Sequence, residues 1–309
     1  MSIAAKMESG IQRFNRISKP TNYLFTLVFM SLAFVCVMPL VFVIIISLSS
    51  DAAIQANGYS FTPSEWSTYA YQYLWNSSGT IGRAFIVSIF ITVTGTLFGL
   101  LMNASMGYVL SRPFFKLRKL YTTLIFIPML FSGGLVPSYM INTQLLGLQN
   151  SYLALILPMA VSTFYIIILR TFFQSTVPDS IIESAKIDGA TQLFIFFRIV
   201  LPISLPALAT IGLFLSFAYW NDWFMALLYI RSDHQQMYPL QYVLISIERN
   251  IDFLMRNAEF FSATMSSARI PAESARMALV VIVVLPIACA YPFFQRYFIS
   301  GLTIGAVKG

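Results

Sequence analysis

Charge is what this sequence lacks most. Asp, Glu, Lys and Arg make up 10% of its 309 residues, whereas 58% are hydrophobic. A soluble domain carries about 25% charged residues, so an ordinary solvated globule is excluded. Histidine is nearly absent too. His234 has no cysteine or second histidine near it in the chain, so no metal-binding spacing exists around it. The two cysteines, Cys36 and Cys289, both lie in apolar stretches, which argues against a disulfide framework. No G-x-x-x-x-G-K-[ST] occurs, so the chain brings no P-loop of its own. There is no visible internal repeat and no low-complexity segment.

Long hydrophobic runs are what it has instead. Tyr23–Leu48 carries no charge and Ala84–Leu110 follows it. Leu120–Leu169 is a single uncharged run, too long for one crossing of about 20 residues. It is interrupted by Ser132, Gly133, Gly134 and Pro137, then by Asn142, Gln144, Gln149 and Asn150, all turn-forming types. We read it as spans three and four. Ile199–Ile230 is the fifth span, interrupted by Asp222, and Met277–Phe294 is the sixth. The first run exceeds the apolar core of a signal peptide and lacks a clean cleavage site, so it reads as a retained helix. The fold class expected is therefore an all-α integral membrane protein with six transmembrane helices.

The formal charge of +7 fits topology better than nucleic acid. With the N-terminus inside, Lys6, Arg13, Arg16, Lys19, Arg112, Lys116, Arg118, Lys119, Arg170, Lys186, Arg198, Arg296 and Lys308 fall on the inner side. Arg83, Arg231, Arg249, Arg256, Arg269 and Arg276 fall outside. That bias of about two to one supports an N-in, C-in arrangement in the cell membrane. The organisation expected is a cytoplasmic segment 1–22, a six-helix domain 23–300 and a cytoplasmic tail 301–309. External loops cover 49–83 and 231–276. The first is rich in aromatics (Trp66, Tyr69, Tyr71, Tyr73, Trp75) and suits an interfacial belt. The second is a candidate docking surface for an external partner.

The segment 178–198 between spans four and five reads as helix, turn, helix. Ser180 and Glu183 have capping-box spacing. Gly189 suits the left-handed residue that ends a helix, with Asp188 or Gly189 preceding the next one. Ile181, Ile182 and Ala185 share an apolar face. Taken singly, each residue reads better as helix punctuation. As a set on the basic side of the membrane, they make a short compact element able to sit in a groove of a soluble motor.

The run Glu183-Ser184-Ala185, Asp188-Gly189-Ala190, Phe197, Ile199, Leu201-Pro202 resembles the EAA signature of ABC importer permeases. Ser184 stands where the first alanine is usual. The resemblance extends over nearly the whole chain. Trp220-Asn221-Asp222 and the C-terminal Gly301–Gly309 are similar to the smaller permease of maltose-type carbohydrate importers, closest to the group for aldouronate and plant-polysaccharide oligosaccharides. It implies a type I ABC importer permease fold and a non-catalytic transport subunit. Glu183, Ser184, Ala185, Asp188, Gly189 and Ala190 would then couple to an ABC ATPase dimer. Gly305, Val307, Lys308 and Gly309 would touch that ATPase. The chain would bind no cofactor itself, with ATP and Mg on the partner. It also implies a second permease subunit and an extracellular solute-binding protein.

Trp220, Asn221, Asp222 and Trp223 combine aromatic faces with hydrogen-bonding groups, as a sugar requires. They are candidate substrate-pathway residues, and an interfacial anchor is the other reading. Counted as continuous helix from Pro202, Trp220 lies about 27 Å along span five. Phe217 and Tyr219 are candidates for the same surface, and Asn103 and Asn142 are weaker cavity candidates. The alternative is a stand-alone ion-coupled secondary transporter. It would need functional intramembrane charge, and Asp222 is the one clear candidate. A receptor or scaffold would be expected to carry a sizeable soluble domain, and none is apparent.

Overall fold

A span inside lipid must satisfy its backbone hydrogen bonds internally, which leaves helices as the solution for this composition. The computed structural model describes residues 19–76, 78–256 and 272–306. Among these, regular structure is helical, with a single isolated bridge between Ser49 and Trp66. Among the described residues, two helices are long and apolar enough to cross a bilayer alone, and three bent pairs bring the number to as many as five.

Two units can be distinguished. The first comprises residues up to Tyr71 together with Pro271–Val281. It contains α1 (Lys19–Ser47), α2 (Asp51–Asn57) and the start of α3 (Tyr69–Asn76). Leu27, Phe29, Phe34 and their neighbours on α1 are exposed, as expected of a helix whose solvent is lipid. After α1 the chain folds back: Ser50 N–H donates to Glu65 O and Ser67 N–H to Leu48 O. Asp51 Oδ1 accepts from Ser274 N–H at 2.9 Å and from its hydroxyl at 2.7 Å. This places a carboxylate in the first turn of α14 (Ala272–Ala306), where the helix dipole favours it. Tyr59 OH donates to Glu273 at 2.6 Å, and that bond pushes the phenol's pKa up. Trp66 and Tyr69 remain exposed.

The second unit is organised around α4 (Ser78–Ser111). One stripe of α4 repeats every four residues: Gly95, Gly99, Asn103, Gly107 and Ser111. Small residues let helix backbones approach closely where lipid offers no hydrophobic drive. A Cβ on Gly95 would lie 2.5 Å from the Tyr219 ring, and one on Gly99 would lie 2.9 Å from Ala160 O. The stripe therefore receives α7 (Tyr152–Ala160), α8 (Thr163–Thr176) and α11 (Leu205–Asn221).

Asn103, expected as a weak cavity candidate, is engaged in helix packing. It is fully buried, and its amide donates to Gly99 O at 2.6 Å and Ala160 O at 2.7 Å. Its Oδ1 accepts from Ser162 N–H at 3.0 Å. These bonds satisfy backbone groups freed where α7 and α8 meet at a 51° bend. The interruption expected within 132–150 is present: α5 (Arg118–Leu130) turns by 116° into α6 (Leu135–Met140), which ends in a π-helical turn Ile141–Leu145.

Span five departs from the sequence expectation. It is not one rod from Ile199 to Ile230. A segment Gln192–Ile203 meets α11 at 84°, with Pro202 and Pro206 flanking Ser204. Each proline removes an N–H from the helical ladder, so the chain turns there. α11 then stops at Asn221, and α12 (Phe224–Tyr229) is separate. Counted from Leu205, Trp220 lies about 22 Å along α11 rather than 27 Å. A short 3₁₀ stretch, Ser232–Met237, leads to α13 (Leu240–Arg256). Leu240 N–H donates to the buried Ser88 hydroxyl of α4 at 2.7 Å.

Candidate functional site

The helix pair at 178–198 is built from local rules. Pro178 holds extended backbone (φ −60°, ψ 139°) and stands at the N-cap of α9 (Asp179–Ile187). No side chain caps that end. The expected Ser180/Glu183 capping box is therefore absent. Ser180 lies one residue inside the helix, because proline's fixed φ sets the start earlier. Asp179 supplies the first-turn acid.

Gly189 ends the helix as expected, with φ of 82°. Its N–H donates to Lys186 O at 3.0 Å, and Ala190 N–H donates to Ala185 O at 2.9 Å. This nested pair is a Schellman motif, which needs a left-handed residue at the position of Gly189. The following helix, α10 (Gln192–Ile195), is capped by Thr191, whose hydroxyl accepts from Phe194 N–H at 3.3 Å. Sequence reading assigned that place to Asp188 or Gly189. The hydroxyl of Thr191 was the better signal. α10 runs through a π-helical turn, Phe196–Val200, before the bend at Ser204.

The pair is fixed on one side and open on the other. Ile182, Ile195, Phe196 and Val200 are buried in the same hydrophobic core as Ile156, Leu169 and Tyr219. Ala185 and Ala190 pack against that core. Glu183, Ser184, Asp188 and Gly189 are exposed. Ile187 is 86% exposed, and Leu193 and Phe194 are exposed beside it. The result is a firmly seated element whose outer face mixes apolar side chains with the charges of Glu183, Lys186 and Asp188.

The Trp220 end of α11 is different. Trp220 is 8% exposed, its indole N–H donates to Val283 O at 3.2 Å, and Phe85 meets its ring edge-on at 5.9 Å. Tyr219 lies against Gly95 and donates to Ile156 O at 2.7 Å. Asn221 is exposed, and its amide donates back to Phe217 O. Asp222 accepts from Met225 N–H and so caps α12. Trp223 is partly exposed, with the Arg249 guanidinium 5.5 Å from its ring centre. The four candidates are thus contiguous but do not form one surface. Asn142 donates to Tyr229 OH at 3.0 Å, and the Tyr229 ring stacks with that of Tyr139.

Gly305 lies in the last turns of α14, and Val307, Lys308 and Gly309 lie outside the described residues.

Comparison with known proteins bears on the whole chain. Residues 95–304 match the family described as binding-protein-dependent transport system inner membrane component. Protein LplC of Bacillus subtilis is 40% identical over 275 residues, covering 89% of this chain and 90% of that protein. The polygalacturonan/rhamnogalacturonan transport system permease protein YtcP of the same organism is 38% identical over 296 residues, covering 96% and 99%. Among solved structures, a bacterial ABC transporter involved in importing the acidic polysaccharide alginate matches with a TM-score of 0.77 and 28% identity. That match covers 92% of this chain and all of the other.

Proposed function

This chain belongs to the family of binding-protein-dependent transport system inner membrane components, and we propose that it carries oligosaccharides released from plant polysaccharide across the cell membrane. It is a permease subunit of an ABC importer and not itself an enzyme. In the proposed assembly it pairs with a second permease, an ATPase dimer holding ATP and Mg, and an extracellular solute-binding protein. The proposed topology has six spans with both termini inside. The helix Ala272–Ala306 supplies the sixth, and α9 and α10 lie on the basic inner side.

One observation carries the mechanism. The motif residues Glu183, Ser184, Asp188 and Gly189 face outward, while Ile182 and Ile195 of the same element are buried in the helical core. A partner ATPase that grips the exposed face of Ile187, Leu193 and Phe194 therefore grips the core as well. Closure of the motor around ATP displaces the element as a body, and the spans follow. An ion-coupled carrier would have no use for such a face. The tail, Gly305 with Val307, Lys308 and Gly309, is a second proposed contact to the ATPase. At the other end, Phe85 and Val283 already occupy Trp220. A sugar would meet Asn221 and Trp223 there, with Asp222 holding the turn between them.

The relatives' polygalacturonan and alginate cargoes point to acidic saccharides for this chain also. The reconstituted complex tests the coupling. Glu183→Ala is expected to lower binding-protein-stimulated ATP hydrolysis and uptake together, by about tenfold for a coupling contact of ordinary strength. Wild-type values of both would sink the assignment.

A further inference from the structure

We infer that Arg112 is a positioning residue for transport: it fastens the coupling element to the end of α4, so that motor movement passes directly into the central helix of the bundle. This rests on the reading of α9 as the motor contact.

In the sequence Arg112 is one more basic residue on the inner side. In the structure it is 1% exposed. A buried guanidinium persists only where its donors are used, and these are. Nε donates to the Ser111 hydroxyl at 2.8 Å. Nη2 donates to Phe173 O at 2.9 Å, and Nη1 donates to Val177 O at 3.4 Å. Both carbonyls lie at the C-terminal end of α8, where a cation also meets the negative end of the helix dipole. Nη1 reaches Asp179 Oδ1 at 2.9 Å, at the start of α9. One planar fork thus joins α4, α8 and α9, a geometry that the ammonium of lysine does not reproduce.

The neighbouring residues of α4 hold the other half of the element. Tyr108 donates to Gln192 of α10 at 3.3 Å and packs its ring 5.3 Å from that of Phe196. Just past α4, the Phe114 ring lies 3.8 Å beneath Lys186 of α9. The covalent route from α10 into α11 runs through a π-helical turn and an 84° bend. The route through Arg112 is short and side chain to side chain. It also enters the helix whose small-residue stripe carries α7, α8 and α11.

Asp179 gives the test, because its side chain is 56% exposed and its replacement does not open the core. The complete complex, with both permeases, ATPase and binding protein, would be placed in proteoliposomes with a labelled oligogalacturonide that the wild-type complex imports. Sugar imported per ATP hydrolysed is the readout, since a purely structural defect lowers the amount of active complex and leaves this ratio alone. The ratio is expected to fall about five- to tenfold in Asp179→Asn and in Arg112→Lys, and Asp179→Glu should restore most of it. A wild-type ratio in Asp179→Asn overturns the inference, including where Arg112→Lys fails to assemble. Glu183→Ala, measured in parallel, separates the two readings. If it lowers stimulated hydrolysis and uptake while Asp179→Asn leaves the ratio at the wild-type value, only the fastening falls. If Glu183→Ala leaves hydrolysis and uptake at wild-type values, the motor contact falls with it.

Discussion

The two ends of the helix bundle handle polar and aromatic residues in opposite ways. Where α4 ends at Ser111, the buried Arg112 has its donors engaged and the motif residues stand out into solvent. Arg112, Ile182 and Phe196 hold the element, while Glu183, Ser184 and Ile187 are free to meet a partner. Where α11 ends at Asn221, the most conspicuous residue faces inward. Trp220 spends its ring on Phe85 and its N–H on Val283. A residue type that suits sugar recognition is there used to join helices. Exposure separates presentation from packing, and residue type does not.

The comparison is sharpest at Trp220. Trp220→Ala should cost about 3 kcal/mol, the lower end for truncating a buried tryptophan. Packing between helices in lipid has no transfer from water to add. Thermal unfolding of the detergent-solubilised complex would measure it. Trp223→Ala should leave the unfolding midpoint nearly unchanged and alter uptake instead. The reverse pattern would erase the contrast between these adjacent tryptophans.

A smaller effect is expected at Gly189. Its φ of 82° is costly for any residue with a Cβ, although nothing lies within 4 Å to clash. Gly189→Val should destabilise the loop by about 1–2 kcal/mol. Gly189→Asn should cost less, because asparagine visits the left-handed region. Hydrogen exchange of the Ala190 amide, the outer bond of the motif, reads both variants. The smallest effect on stability belongs to Ile187→Ser with Leu193→Ser. Both side chains are exposed, so the change should lie within about 0.5 kcal/mol. Stimulated ATP hydrolysis should nonetheless fall severalfold. Lowered stability with normal coupling would show the face to be packing after all.

How far each feature was legible follows from the range of the interactions that make it. Gly189 and the helix–turn–helix around it were readable because a Schellman motif closes within six residues. The capping box failed for a local reason, since Pro178 and Ile181 hold the N-cap and N3 positions that Ser180 and Glu183 would need. Arg112 was invisible as a fastening because its carboxylate partner is 67 residues away. The bonds of Asn103 were equally out of reach, since they depend on the backbone of Ala160 and Ser162 at a bend elsewhere in the chain. The bend at Ser204 had a signal, the flanking Pro202 and Pro206, that hydropathy alone passes over.

The central claim is that the outward face of 178–198 meets the motor. A photo-crosslinking residue in place of Leu193, in the assembled complex, tests it most directly, with the same residue in place of Trp223 as the opposite end. The account predicts an adduct with the ATPase subunit from position 193 and none from position 223. No ATPase adduct from 193, in a complex that still hydrolyses ATP on stimulation, would contradict it.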